Sequence, residues 1–233
     1  MILGVTGLIG SGKDTIADYL VTYHGFKRIS FAASLKDAVA AVFGWDREML
    51  EGRSSSSREW REQTDHWWSE RLNKNVTPRW VLQQWGTEVC RKSFDDDIWI
   101  ASLENKLRTR QDNVVISDCR FPNEIKAIRN QGGKIVWVQR GELPMWYDAA
   151  LSANQGPNGN PTWALSKAKL ERLNIHPSET SWVGQEFDAV IDNNGTLDNL
   201  YHQIKNLVQD PRPSREVGIY KPLADSLNIS SSD

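Results

Sequence analysis

Apolar and polar positions follow two alternating rhythms along this chain. Short unbroken apolar runs occur at Ile2–Thr6, at residues 28–31 and 114–117, at Lys134–Gln139 and at Ala189–Asp192. Runs of that length predict strands buried on both faces, as in a parallel sheet. Between them apolar residues recur at helical spacing. Residues 15–23 predict a helix straight after a glycine-rich stretch. Residues 34–43 place Leu35, Ala38, Val39, Val42 and Phe43 on one face, and residues 78–92 do the same with Val81, Leu82, Trp85 and Val89. Residues 97–107 carry Ile98, Ala101 and Leu107. Pro122–Asn130 opens on a proline and stops before Gly132 and Gly133, and residues 196–208 start at a Thr196 cap. Strands alternating with helices predict an α/β fold: a five-stranded, doubly wound parallel sheet flanked by helices.

Two stretches break the rhythm. Residues 44–77 are polar, with a serine run at 54–57 and the aromatics Trp60, Trp67 and Trp68. Residues 141–183 hold a glycine- and asparagine-rich piece, 154–160, then a basic helix-like segment with Lys167, Lys169 and Arg172. Long interruptions inside a compact domain are usually lids or binding loops. A chain of 233 residues suits one α/β domain with insertions. The expected layout is a single domain over 1–210, with a helical insertion at 44–112 and a lid region at 141–183. Residues 211–233, with Pro211, Pro213 and a serine-rich end, are expected to form a loosely held tail. A net charge of −2 excludes a global basic field for non-specific nucleic-acid binding, so local clusters must supply any affinity for phosphate. Two distant cysteines, Cys90 and Cys119, point to a reducing compartment. Without a signal-like leader or a run of ~20 apolar residues, the expectation is a soluble, cytoplasmic protein that does not engage a membrane.

The glycine-rich stretch carries the most specific chemistry. Gly7, Gly10, Ser11, Gly12, Lys13, Asp14 and Thr15 lie between the first strand and the first helix. Glycines allow successive backbone N–H groups to turn inward. Together with the positive end of the helix, those groups cradle phosphate oxygens. Lys13 adds a charge that follows a phosphoryl group in transfer. This is the P-loop pattern except at its last place, where Asp14 replaces a hydroxyl and Thr15 comes next. Asp14 either leaves a metal held mainly by phosphates and water, or merely favours the first helical turn. The two readings are compatible.

Other candidates cluster at predicted strand ends, where ligands of open parallel sheets sit. Asp118 is placed to hold magnesium or orient its water, and Arg120 to pair with a phosphate. The plainer alternative is that the two pair with each other. Ser34 reads as a helix cap that leaves N–H groups free for a phosphate, with Lys36 either helping or facing solvent. On the predicted helix over 78–92, Arg79, Gln83 and Glu88 accompany Trp85, which either stacks on a base or packs in the core. Asp95, Asp96 and Asp97 read as helix-start acids. Lys167, Lys169 and Arg172 either close over phosphates or form an exposed face. His176 and Glu179 lack the second pair a zinc site requires.

In order along the chain stand G-L-I-G-S-G-K-D-T (7–15), F-A-A-S-L-K-D (31–37), P-R-W-V-L-Q-Q-W-G-T-E (78–88), F-D-D-D-I-W (94–99), S-D-C-R-F-P-N-E (117–124) and H-P-S-E (176–179). This set resembles the bacteriophage-type deoxynucleoside monophosphate kinases, a P-loop family related to adenylate and dephospho-coenzyme A kinases. The resemblance spans residues 1–208. It implies a three-layer P-loop NTPase-type fold with NMP-binding and lid insertions. The implied reaction is phosphorylation of a deoxynucleoside monophosphate by ATP with Mg²⁺, in the host cytoplasm if phage-encoded, by a monomer or homodimer. On that resemblance residues 44–112 become the acceptor-binding insertion. Lys13, Asp118, Arg120 and Arg172 become catalytic, and Gly7 to Thr15 hold ATP. Thr15 and Asp118 lie in the metal shell. Ser34, Lys36, Arg79, Gln83, Trp85 and Glu88 line the acceptor site. Two other readings stay open: another small-molecule P-loop kinase, such as one for dephospho-coenzyme A, and a non-catalytic nucleotide-gated binding protein. The Trp-rich 60–68 segment and the tail match nothing in the pattern.

Overall fold

The computed structural model describes residues 1–108, 110 and 112–209. At its centre are five parallel strands, β1 (Ile2–Thr6), β2 (Lys27–Ile29), β3 (Val114–Ile116), β4 (Lys134–Gln139) and β5 (Ala189–Asp192), in the order β2-β3-β1-β4-β5. Leu3 stands opposite Val115 in β3, and Val5 opposite Val136 in β4. All five predicted strands form. β2 ends before residues 30–31 because the Phe31 and Ala32 N–H groups turn onto the Asp118 carboxylate.

The two-residue period of each strand divides the core. Leu3, Val5, Val115, Val136, Val138 and Ile191 pack with Ile16 and Leu20 of α1 (Lys13–His24) and with Leu200 and Ile204 of α12 (Leu197–Gln209). On the other face Val114, Ile116, Ile135 and Trp137 meet α7 (Ile98–Leu107) through Ile100 and Leu103, and α8 (Pro122–Asn130) through Ile125 and Ile128. This is a three-layer α/β arrangement, a parallel sheet with helices on both faces. The strand order reverses beside β1, so the crevice at the carboxyl end of β1 and β3 is the topological switch point.

After α2 (Ala33–Phe43), the polar interruption is a set of short helices rather than a loop: α3 (Arg47–Glu51), α4 (Ser55–Glu62) and α5 (His66–Leu72). Their starts explain the polar residues. Asp46, Ser54 and Asp65 are N-caps whose side chains accept first-turn N–H bonds, and Thr77 does the same for α6 (Pro78–Gln83). These helices enclose a core of their own, with Leu35, Val39, Trp45, Leu50, Val76 and Val81 packed against Trp60, Trp68, Trp80, Trp85 and Trp99. The tryptophan-rich segment therefore supplies packing, Trp67 being the exposed member.

The helix predicted over 78–92 is corrected. It becomes α6 followed by a π-helix over Gln84–Phe94. Bonding from i to i+5 widens the turn, so the predicted stripe breaks and Val89 faces solvent. Residues 141–183 form α9 (Tyr147–Asn154), α10 (Trp163–Arg172) and α11 (Pro177–Thr180). Tyr147, Ala150, Trp182 and Val183 join the main core, whereas α10 buries no residue and packs on α9. The tail expected at 211–233 lies outside the described residues.

Candidate active site

The β1–α1 loop contains Gly7, Gly10, Ser11 and Gly12. Gly7 has φ +146°, and a Cβ there would sit 2.5 Å from the Val138 carbonyl oxygen and 2.9 Å from Ser11 Oγ. Gly12 has φ +105°, and any Cβ would collide with the Asn193 amide, whose Nδ2 donates to the Ser11 carbonyl at 2.8 Å. At Gly7 a side chain would displace backbone, and at Gly12 it would displace the Asn193 amide and strain a positive φ. Lys13 folds over the loop, its Nζ donating to the carbonyls of Gly7 (2.9 Å) and Leu8 (2.7 Å). Thr6 Oγ1 and Ser11 Oγ are buried without partners. Orphaned hydroxyls, a glycine cradle and a lysine fit phosphate oxygens. Burial, then the nearby Arg120, lowers the Lys13 pKa to about 8 against the opposing charges of Asp14 and Glu179.

Asp14 faces away from the cradle toward Arg28, with the Ser117 hydroxyl at 3.4 Å. Arg28 also donates to Asp18 (3.0 Å) and Ser117 (2.7 Å). Thr15 is half-buried in the first turn of α1. Asp118, expected in the metal shell, stands at the end of β3 and is engaged with the start of α2. Its carboxylate accepts from Ser30 Oγ (2.6 Å), Phe31 N (3.2 Å) and Ala32 N (3.0 Å), so it ties β3 to the start of α2. Among the described residues no group of three or more His, Cys, Asp or Glu is arranged to hold a metal ion.

Arg120 does not pair with Asp118. Its Nη1 donates to Glu179 (2.6 Å), with Ser178 Oγ at 3.5 Å. His176 caps α11, its Nδ1 accepting from Ser178 N at 3.2 Å, and burial lowers its pKa while Glu179 opposes. The charges of Glu88 and Lys92 on the π-helix also act on this pKa, the first raising and the second lowering it. Behind the Arg120 loop, Glu124 is buried. Its Oε2 accepts from Arg120 N (2.7 Å) and Phe121 N (3.0 Å), and its Oε1 accepts from Arg91 (3.1 Å). Burial pushes the Glu124 pKa up to about 7, the Arg120 N–H opposing, Asp118 adding to the rise and Arg91 opposing.

The acceptor-side expectations fare unevenly. Ser34 is not the cap of α2, whose N-cap is Ala32; its hydroxyl instead meets Ser102 at 2.6 Å. The N–H groups before that helix serve Asp118 rather than standing free. Lys36 is not free either: it pairs with Glu51 (2.7 Å), which also takes Arg47 (2.5 Å). Arg79 donates from Nε to Glu62 at 2.8 Å. Gln83 is exposed. Trp85 packs edge-on to Phe43 in the insertion core, and Glu88 pairs with Lys92 at 2.7 Å. Arg172 ends α10 in solvent, away from these contacts. Lys169 donates to the Met145 carbonyl, and Lys167 sits over Trp163. Sequence reasoning missed Arg28, Arg91, Glu124, Glu179 as the Arg120 partner, and Asn193. It also missed Arg61, whose buried Nε has no partner and whose pKa is lowered by burial and then by Arg79. The side chains of Arg28, Arg91, Glu179 and Asn193 find their hydrogen-bond partners ten or more residues away, so no local pattern marks them.

Residues 48–149 match the family model described as deoxynucleotide monophosphate kinase. The matched segment is a little under half of the chain. It spans the insertion, β3 with its Asp118–Arg120 end, α8 and β4. The chain is also 28% identical to a protein of Acanthamoeba polyphaga mimivirus assigned to the same activity, over 90% of this chain and 97% of that one. It is 21% identical to the deoxynucleotide monophosphate kinase of Enterobacteria phage T4, over 89% and 98%. It is 25% identical to the deoxynucleoside-5'-monophosphate kinase of Escherichia phage T5, over 55% and 72%. Among the described residues no helix is long and apolar enough to cross a membrane.

Proposed function

We propose that this chain transfers a phosphoryl group from ATP to a deoxynucleoside monophosphate, giving the diphosphate and ADP in the cytoplasm. The observation that carries this reading is the glycine cradle at the switch point of the sheet, with Lys13 folded over it. The family segment supplies the acceptor class. The cradle N–H groups and Ser11 bind the donor phosphates, and Lys13 exchanges its two carbonyl partners for phosphate oxygens. Arg120 neutralises charge on the transferring group, with Glu179 holding its guanidinium until substrate arrives. Mg²⁺ bound to the nucleotide supplies further charge neutralisation, and Thr15 is the residue placed to reach its shell. Arg79, Gln83, Trp85 and Glu88 line the acceptor side. α10, with Arg172 at its end, serves as the lid of 141–183, since it buries no residue fully and meets the core through Leu170, whereas its flanks are built into it.

The test is a coupled ADP-release assay with MgATP and each of dAMP, dGMP, dCMP and dTMP. Turnover with at least one acceptor, lost in Lys13→Ala, is the expected result. ATP binding without turnover on any of the four would overturn the reading.

A further inference from the structure

The Arg120 loop and the π-helix meet at one buried carboxylate. Glu124 and Arg91 are each 5% exposed, and they come from elements 33 residues apart. The two oxygens of Glu124 serve different masters. Oε2 accepts the N–H groups of Arg120 and Phe121 at 2.7 and 3.0 Å, and Oε1 accepts Arg91 Nη2 at 3.1 Å. The Arg91 guanidinium lies 4.1 Å over the Phe121 ring, and its Nη1 is 3.8 Å from Asp96. Arg91 belongs to the π-helix that also carries Glu88 and Lys92, the charges felt by His176 beside the Arg120 partner Glu179. Long π-helical runs are rare and concentrate at functional sites. Here the widened turn carries Arg91 inward and leaves Val89 in solvent.

We infer that Glu124 and Arg91 are a positioning pair that fixes the Arg120 loop against the acceptor-side helix, so that one carboxylate sets both the aim of Arg120 and the place of the acceptor. This rests on the role of Arg120 in the proposed reaction. A carboxylate is the side chain that can do it: glutamine offers one acceptor oxygen, so its NH₂ would face either Arg91 or the loop N–H groups, donor against donor. A misplacement of about 1 Å at the reacting groups costs on the order of a hundredfold in rate, so a loosened loop is read in kcat.

The experiment compares Glu124→Gln, the apolar double variant Glu124→Leu/Arg91→Met, and Arg120→Ala in the full chain. It measures kcat, acceptor KM, ATP affinity and melting temperature. Glu124→Gln is expected to lower kcat at least about tenfold with ATP affinity within about twofold. Apolar replacement of a buried ion pair is often neutral or stabilising, so the double variant is expected to regain melting temperature while kcat stays low. Recovery of kcat together with melting temperature, or wild-type kcat in Glu124→Gln, would overturn the positioning role. Wild-type kcat in Arg120→Ala would instead remove the role of Arg120, and this pair's role with it.

Discussion

Lys13 has two carbonyl partners, a cationic neighbour in Arg120 and a pKa lowered to about 8, first by burial. A phosphate beside it reverses that balance, because a bound anion favours the charged ammonium. Above pH 8 the free protein then carries fewer protons on Lys13 than the complex does. ATP binding at pH 8.5 is therefore expected to take up protons, seen as a calorimetric enthalpy that varies with the ionisation enthalpy of the buffer. In Lys13→Met that variation should vanish. Asp118 makes the opposite kind of prediction. Its oxygens tie Ser30, Phe31 and Ala32, so Asp118→Ala is expected to cost about 1–3 kcal/mol of stability by orphaning those donors. MgATP affinity should change less than about threefold, under 1 kcal/mol by the usual conversion. A collapse of Mg²⁺-dependent ATP binding in this variant would instead assign Asp118 to the metal shell.

At the scale of elements, α2 and α3 are joined by charges rather than by apolar contact alone. Lys36 and Arg47 converge on Glu51. Burial by itself would raise the Glu51 pKa, but hydrogen bonds and charge from Lys36 and then Arg47 bring it down to about 2. A carboxyl depressed on folding stabilises fully above its unfolded value and loses that contribution as pH falls toward the folded one. The insertion is thus expected to lose stability between about pH 4.5 and 2. Denaturant titrations at pH 6 and pH 3 should show a smaller difference in Lys36→Ala than in the wild type. The same variant should leave the acceptor KM nearly unchanged, since the ammonium is already engaged. A large rise in KM would return Lys36 to the acceptor site. The π-helix is the element whose character the sequence concealed. Its apolar spacing reads as an ordinary helix, and only packing against α7 and the Arg120 loop selects the wider turn.

For the whole molecule the telling residue is Trp182, fully buried and in ring contact with Trp137, Tyr147 and Phe187. It fastens the end of the 141–183 region to the central sheet, so that region unfolds with the domain. Trp182→Ala is expected to cost about 3–5 kcal/mol. The loss should appear as one displaced, still cooperative melting transition. Two separated transitions would show instead that 141–183 is an independent unit.

The sequence by itself determined the five strands, because unbroken apolar runs have no stable place except a doubly covered sheet. It also determined the phosphate cradle, because its glycines, lysine and following helix are contiguous and their chemistry is local. The order of the strands, the second core made by tryptophans of the insertion, and the partners of Lys36, Arg79, Asp118 and Arg120 came from tertiary structure. Asp118 reaches back 86–88 residues, Arg120 forward 59 and Arg91 forward 33 to find their partners. Whether a charged side chain serves a substrate or a neighbouring loop depends on which opposite charge the fold brings within about 3 Å, and spacing along the chain carries no record of that.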